Sequence, residues 1–101
     1  MVIVHVKHYL NDAGINFFLE TWFNDGGHLL RQQEGFRSLK CSKDKNEPNC
    51  MNLWVEFENE ETLTKWGRSQ LHDQFVGRLD CYRPKPYEAK RYVIEKSIEN
   101  I

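Results

Sequence analysis

Histidine and tryptophan side chains are the residues of this sequence best suited to move a proton and to hold an aromatic ring. A histidine exchanges its proton near neutral pH and can serve as a general base, and an indole offers a flat apolar surface with one hydrogen-bond donor. We select His72, Trp66 and His5 as candidate catalytic residues, and Trp54 and Phe75 as candidate substrate-binding residues. The elements that carry them must then place these side chains around one pocket.

The second half of the chain carries most of these candidates. Apolar and polar residues alternate from Met51 to Glu58, which predicts a β-strand. Asn59 is suited to cap a helix after this strand, and Ser69 is suited to cap a second helical segment. The predicted order is strand, short helix, kink and longer helix, with Trp66 and His72 on either side of the kink.

The first strand, predicted from Val2 to Tyr9, offers two histidines. His5 and His8 occupy positions of opposite parity, so their side chains point to opposite faces of the sheet. At most one of them can face a given pocket, and the sequence leaves open which one does.

A long helix is predicted after this strand, beginning at Asn11 or Asp12 and running to about Gln33. Gly26-Gly27 lies inside the pattern and should weaken or kink it. The apolar spacing keeps its phase across the glycines, which favours one long helix over two. Gly35 is predicted to end the helix in the left-handed cap conformation.

The complete order of elements is βαββαβ, with further strands predicted over Phe36–Lys43 and Tyr87–Lys96. This order is that of an α+β, ferredoxin-like fold, in which both helices cover one face of a four-stranded antiparallel sheet. We expect one domain over residues 1–101, with its core at about 2–96. The uncovered sheet face, which carries Trp and Tyr among its charges, favours a homodimer with sheets packed face to face.

Composition narrows the possible partners and supports this assembly. The 101 residues are 40% hydrophobic with a mean hydropathy of −0.72, which is lean for a monomer that fills its own core. The net charge is −1 with both signs interspersed, so nucleic acid is not an expected partner. No apolar run is long enough to span a membrane and the start does not read as a signal peptide, which predicts a cytoplasmic protein.

The cysteines are expected to be free thiols, because Cys41, Cys50 and Cys81 are an odd set in a reducing compartment. A hairpin turning about Lys45-Asn46 would place Cys41 opposite Cys50, which keeps a strained cross-strand disulfide as the lesser alternative. The Cys and His spacings match no metal site, so none is predicted.

Three motifs, in this order and spacing, resemble the antibiotic biosynthesis monooxygenase family of small dimeric α+β barrel proteins. They are Glu34-Gly35-Phe36 at the end of the first helix, Phe57-Glu58-Asn59-Glu60-Glu61 at the strand-to-helix corner, and Trp66-x-x-Ser69-x-x-His72. The likeness runs from about Val2 to Ile94. It implies a homodimer with a pocket between sheet and helices. It also implies cofactor-independent oxidation, by O2, of a small aromatic or quinone-like ligand.

Two other functions stay open. A related branch degrades haem with an Asn on the first strand, a Trp on the second helix and an axial His about three turns later. Trp66 matches the Trp, but Val76 stands where the axial His would be and no Asn precedes Asn11, so the resemblance implies weak haem binding at most. The third possibility is a dimeric ligand-binding or stress-response module without turnover, in which Trp66 is only core and His72 bonds only locally.

Overall fold

An antiparallel sheet forms one layer of the protein and helices form the other. The computed structural model describes residues 1–100, so Ile101, the last residue of the predicted domain, lies outside the described residues. The strands are β1 (Val2–Tyr9), β2 (Phe36–Lys43), β3 (Cys50–Phe57) and β4 (Glu88–Val93). Their order in the sheet is β2-β3-β1-β4, and all neighbours are antiparallel. The predicted ferredoxin-like fold is therefore confirmed.

The first helical stretch is continuous but not uniform. It consists of α1 (Asp12–Phe17), a π-helical turn (Phe18–Trp22) and α2 (Phe23–Leu30). The N-cap is Asn11, whose side chain accepts a hydrogen bond from the backbone N–H of Gly14. The irregularity is this π-helical turn, and it lies before Gly26-Gly27, the pair that was expected to weaken or kink the helix.

The helix also ends earlier than predicted, at Leu30 rather than about Gln33. A turn follows, in which Gln32 and Gln33 donate to the carbonyls of Leu29 and Leu30. Gly35 does adopt the left-handed conformation, with φ of +80°, but it closes this turn.

Two helices follow β3 at the predicted places, but both have eight residues, so the second is not the longer helix that was predicted. They are α3 (Glu60–Gly67), capped by Asn59, and α4 (Gln70–Gly77), capped by Ser69. A 3-10 turn (Asp80–Tyr82) then leads towards β4. No helix among the described residues is long and apolar enough to cross a membrane.

Strand register decides which side chains meet the helices. Val4 of β1 lies opposite Val55 of β3, and Val6 lies opposite Leu53. These valines and leucines belong to or pack against the core under the helices. We call this side the helix-facing side. The opposite side, the open face, carries the alternate residues, which include Ile3, His5, Lys7, Asn52, Trp54 and Glu56.

The bounds of two strands and one pairing differ from expectation. β3 covers Cys50–Phe57 rather than Met51–Glu58, and β4 covers Glu88–Val93 rather than Tyr87–Lys96. Cys41 lies opposite Leu53, and Cys50 pairs with Tyr9 of β1. The predicted opposition of Cys41 and Cys50 is thus wrong, and all three cysteines are free.

Candidate functional site

A cavity of about 440 Å³ lies between the helix-facing side of the sheet and the second pair of helices. Its volume is within the range of roughly 300–1,000 Å³ that small-molecule sites occupy. Other depressions on the surface have similar volumes, so volume alone does not single it out. The lining of this cavity distinguishes it from the others, because apolar residues of β1 and β3 face apolar and aromatic residues of the helices. They include Val4, Val6, Leu53, Val55, Trp66 and Phe75.

The junction of α3 and α4 places Trp66 and His72 in the cavity wall. The Ser69 hydroxyl donates to the Trp66 carbonyl at 2.7 Å and accepts from the backbone N–H of His72 at 3.1 Å. One side chain therefore ends the first helix and starts the second. The His72 ring stands edge-on to the Trp66 ring, with centroids 5.4 Å apart and planes at 87°.

His72 also has a carboxylate partner. Its Nδ1 lies 3.1 Å from Oδ1 of Asp73, and its side chain is 25% exposed. A carboxylate accepts hydrogen bonds, so this contact favours the tautomer with the proton on Nδ1. Nε2 of a neutral His72 is then the nitrogen with a free lone pair.

Phe75, the candidate substrate-binding residue of α4, is part of a buried aromatic stack. Its ring lies parallel to that of Trp22, with centroids 4.1 Å apart and planes at 7°. The Trp22 indole N–H donates to the Phe75 carbonyl at 2.9 Å. Gly26 makes this approach possible, since a Cβ built there would lie 2.6 Å from Cζ of Phe75.

His8 is the first-strand histidine that faces the cavity. It shares the parity of Val4 and Val6, is 1% exposed and lines the cavity with them. Its Nδ1 lies 2.9 Å from Nη1 of Arg83. Burial, and then the positive charge of Arg83, lower the pKa of His8 from 6.5 to about 3. His8 is therefore neutral at physiological pH.

On the side of the cavity next to β4, an arginine of this strand forms hydrogen bonds with α3. Arg91, which lies opposite Val4 in the sheet, donates from Nη1 to Glu60 at 2.7 Å and to Thr64 at 2.9 Å. Both acceptors belong to α3. β4 is exposed along its length, and this contact joins it to the helical layer.

His5 and Trp54 do not line this cavity, although both were expected beside the pocket; of the two histidines that the sequence left open, His8 is the one that lines it. The two residues are directly opposite each other on β1 and β3, on the open face. Their rings stack with centroids 4.0 Å apart, and Nε2 of His5 lies 2.7 Å from Oδ1 of Asn52. The reason is parity, because both alternate with the valines and leucines that face the helices.

Trp66, His72 and Phe75, which were selected from the sequence, thus line one cavity together with His8 and Trp22. Trp22 lies inside the long helix predicted from the sequence, and its place beside the cavity was not predicted. Arg83 had no signal in the sequence, since it stands in a connection without periodicity between the second helical segment and the last strand.

The family model for "Antibiotic biosynthesis monooxygenase" matches residues 1–78, which include Trp66, His72 and Phe75. The chain belongs to this family. No curated protein is similar enough in sequence to be matched to it. Val76 also lines the cavity.

Solved structures agree on the fold of this family member. A candidate antibiotic biosynthesis monooxygenase from Deinococcus radiodurans aligns with a TM-score of 0.82 at 16% identity, covering 100% of this chain and 99% of that chain. SnoaB, a cofactor-independent oxygenase from Streptomyces nogalater, aligns with a TM-score of 0.79 at 11% identity, covering 98% and 97%. Rv0793 from Mycobacterium tuberculosis aligns at 0.79 and 11%, covering 97% and 98%.

Proposed function

We propose that this protein is a cofactor-independent monooxygenase that oxidises a small aromatic or quinone-like metabolite in the cavity. The observation that carries the proposal is the pairing, in one apolar cavity, of an aromatic wall with a histidine held by a carboxylate. Membership of the monooxygenase family and the fold shared with SnoaB support it.

His72 is the proposed base. With Nδ1–H directed at Asp73, the Nε2 lone pair is free to take a proton from the ligand. Trp66 and Phe75 are proposed to hold the ligand ring between the helices and the valines of the sheet. An apolar lining also limits water, which protects a carbanion or phenolate once it has formed.

The reaction needs no external reductant. Proton removal from an acidic CH2 group of the ligand gives a carbanion, which passes its electrons to O2 and forms a carbon–oxygen bond. The resulting hydroperoxide loses water and leaves a ketone, so that a CH2 group and O2 yield C=O and H2O. The substrate is the electron donor and O2 is the oxidant.

The same proposal includes a homodimer formed through the open face. This face carries the His5–Trp54 stack and the exposed Tyr92, which is 45% exposed. Two sheets packed face to face should bury more than roughly 1,000 Å². Sedimentation at micromolar concentration should give twice the mass of 12.1 kDa, and a monomeric mass would contradict this part of the proposal.

Oxygen uptake by the purified protein tests the activity. The assay contains a chelator, no added cofactor, and a panel of dihydroxynaphthalenes and benzylic ketones with an acidic CH2 group. Protein-dependent uptake, with one atom of ¹⁸O from ¹⁸O2 in the ketone, is the expected result. Wild-type rates equal to the uncatalysed rate across the panel, with tight binding of the same compounds, would favour the non-catalytic ligand-binding module.

Haem is the competing ligand. Because Val76 supplies no axial ligand, added haem should bind weakly and without the absorption spectrum of a histidine-ligated iron. Stoichiometric binding that is lost in His72→Ala would replace the proposed function by the haem-binding one.

A further inference from the structure

A buried chain of polar groups leads from the protein surface to the inside of the cavity. It runs from Asp80 through Arg83 to His8. Arg83 donates from Nε to Oδ1 of Asp80 at 3.0 Å, from Nη1 to Nδ1 of His8 at 2.9 Å, and from Nη2 to the Val76 carbonyl at 3.2 Å. The Arg83 side chain is only 8% exposed, and its guanidinium also lies over the Tyr87 ring at 4.9 Å.

The arginine fixes the tautomer of His8. A guanidinium has only donors and keeps its charge in proteins, so its contact with Nδ1 makes that nitrogen an acceptor. The single proton of the neutral imidazole must then lie on Nε2. A positive charge at this distance also opposes a second proton on the ring.

The Nε2–H group of His8 has no protein acceptor among residues 1–100, where the hydrogen-bond partner of the ring is on Nδ1. No fully buried side-chain nitrogen or oxygen in that range lacks a partner, so Nε2 is not sealed on all sides, although His8 as a whole is 1% exposed. The space that His8 lines is the cavity.

We propose that His8 is a fixed hydrogen-bond donor, held by Arg83, that selects ligands with a carbonyl or phenolate oxygen at the inner end of the cavity. This inference rests on the proposed function, because it requires an aromatic ligand in that cavity. The donor would bind the oxygen whose negative charge grows when the adjacent carbon loses its proton. Among residues 1–100, the carboxylate paired with Arg83 is that of Asp80, which is 70% exposed, so the charge of Arg83 adds to the preference for an electron-rich oxygen.

Two residues with opposite roles then share the cavity. His8 is a donor because an arginine occupies its Nδ1, whereas His72 is an acceptor because a carboxylate occupies its Nδ1. A ligand with an acidic CH2 group beside a carbonyl satisfies both. A hydrocarbon of the same shape satisfies neither and leaves the Nε2–H group unpaired, which costs affinity.

A pair of probes that differ by one oxygen tests this selection. The probes are 1-tetralone and tetralin, which lacks the carbonyl, and binding is followed by NMR titration of wild type, His8→Met and His8→Gln. We expect His8→Met to weaken 1-tetralone binding about tenfold, as for one lost hydrogen bond, and tetralin binding less than about twofold. His8→Gln keeps an N–H donor and should recover part of the loss.

Imidazole ¹⁵N shifts of the ligand-free protein test the tautomer separately. Nε2 should carry the proton at neutral pH and Nδ1 should not. A proton on Nδ1, or equal losses for both probes in His8→Met, would overturn the inference while the proposed function stands. If wild type binds neither probe but the tautomer is as stated, the ligand class assigned to the cavity is wrong and the selection by His8 falls with it.

Discussion

The two sides of the sheet carry aromatic stacks of nearly the same geometry. On the helix-facing side, Trp22 and Phe75 lie parallel at 4.1 Å and 7°. On the open face, His5 and Trp54 lie parallel at 4.0 Å and 6°. Each indole donates a hydrogen bond, Trp22 to the Phe75 carbonyl and Trp54 to the Ser42 hydroxyl. Stacking geometry therefore does not tell a ligand site from an assembly surface.

The two stacks differ in how far they are buried and in the charges of the residues around them. Trp22 is 1% exposed and Phe75 is 7% exposed, beside a cavity with an apolar floor. The open face has charged neighbours such as Lys7 and Glu56 in the same strands. This contrast supports the proposed division, with ligand chemistry on the helix-facing side and assembly on the open face, and the predictions below test it.

The largest expected effect is on the rate of oxygen uptake, and it should differ between His72 and His5, the two histidines selected from the sequence as catalytic. His72→Ala should lower the rate of oxygen uptake about 10²- to 10⁴-fold, the usual loss for a general base. Its free energy of unfolding should change by less than about 1 kcal/mol, because the side chain is partly exposed and bonds only locally. His5→Gln on the open face is the control, and its rate per dimer should match wild type. Loss of turnover in His5→Gln with full activity in His72→Ala would reverse the assignment.

The pH dependence of stability should report the burial of His8. Its pKa is about 3 in the folded protein against 6.5 ordinarily, so the unfolded chain binds the proton more readily. Stability contributed by the neutral ring is therefore present above pH 6.5 and is lost as the pH falls towards 3. The loss should be about 1.4 kcal/mol per pH unit within this window.

Urea unfolding at several pH values measures this slope. The difference in slope between wild type and His8→Met isolates the contribution of the one imidazole. His8→Gln, which also lacks a titrating ring, should show the same flattening. Parallel curves for wild type and both variants would mean that His8 is not held neutral inside the core.

A smaller effect is expected from the glycine pair of α2. A Cβ at Gly26 would press on the ring of Phe75, whereas a Cβ at Gly27 would meet nothing within 4 Å. Gly26→Ala should lower the free energy of unfolding by about 1–3 kcal/mol because the Trp22–Phe75 stack must shift. Gly27→Ala should raise it by up to about 1 kcal/mol through better helix propensity. Thermal or urea melts in which both variants behave alike would show that the stack does not depend on Gly26.

Local signals in the sequence were enough to predict most of the fold. Asn59 and Ser69 are helix caps because their short polar side chains accept hydrogen bonds from the first turn. Alternation along β1 and β3 follows from the strand period of two. The π-turn at Phe18–Trp22 was not predicted, since it depends on how the helix packs rather than on its residues.

The site was only partly predictable. Parity showed that His5 and His8 lie on opposite faces, but which face the helices cover depends on long-range packing between the helices and the sheet. The roles of His72, Trp66 and Phe75 stay predictions. The buried Arg83 depends on contacts with His8 and Val76, which are distant or irregular in sequence.

The indole N–H signals of the three tryptophans offer the most direct test of the division between the two sides. Trp22 and Trp66 line the cavity, and Trp54 lies on the open face. Each signal can be assigned from its Trp→Phe variant in a ¹⁵N-labelled sample. On titration with 1-tetralone, the Trp66 and Trp22 signals should shift together and saturate with one affinity while Trp54 stays in place. A saturating shift of Trp54, with Trp66 and Trp22 unmoved, would place the ligand on the open face and contradict the account.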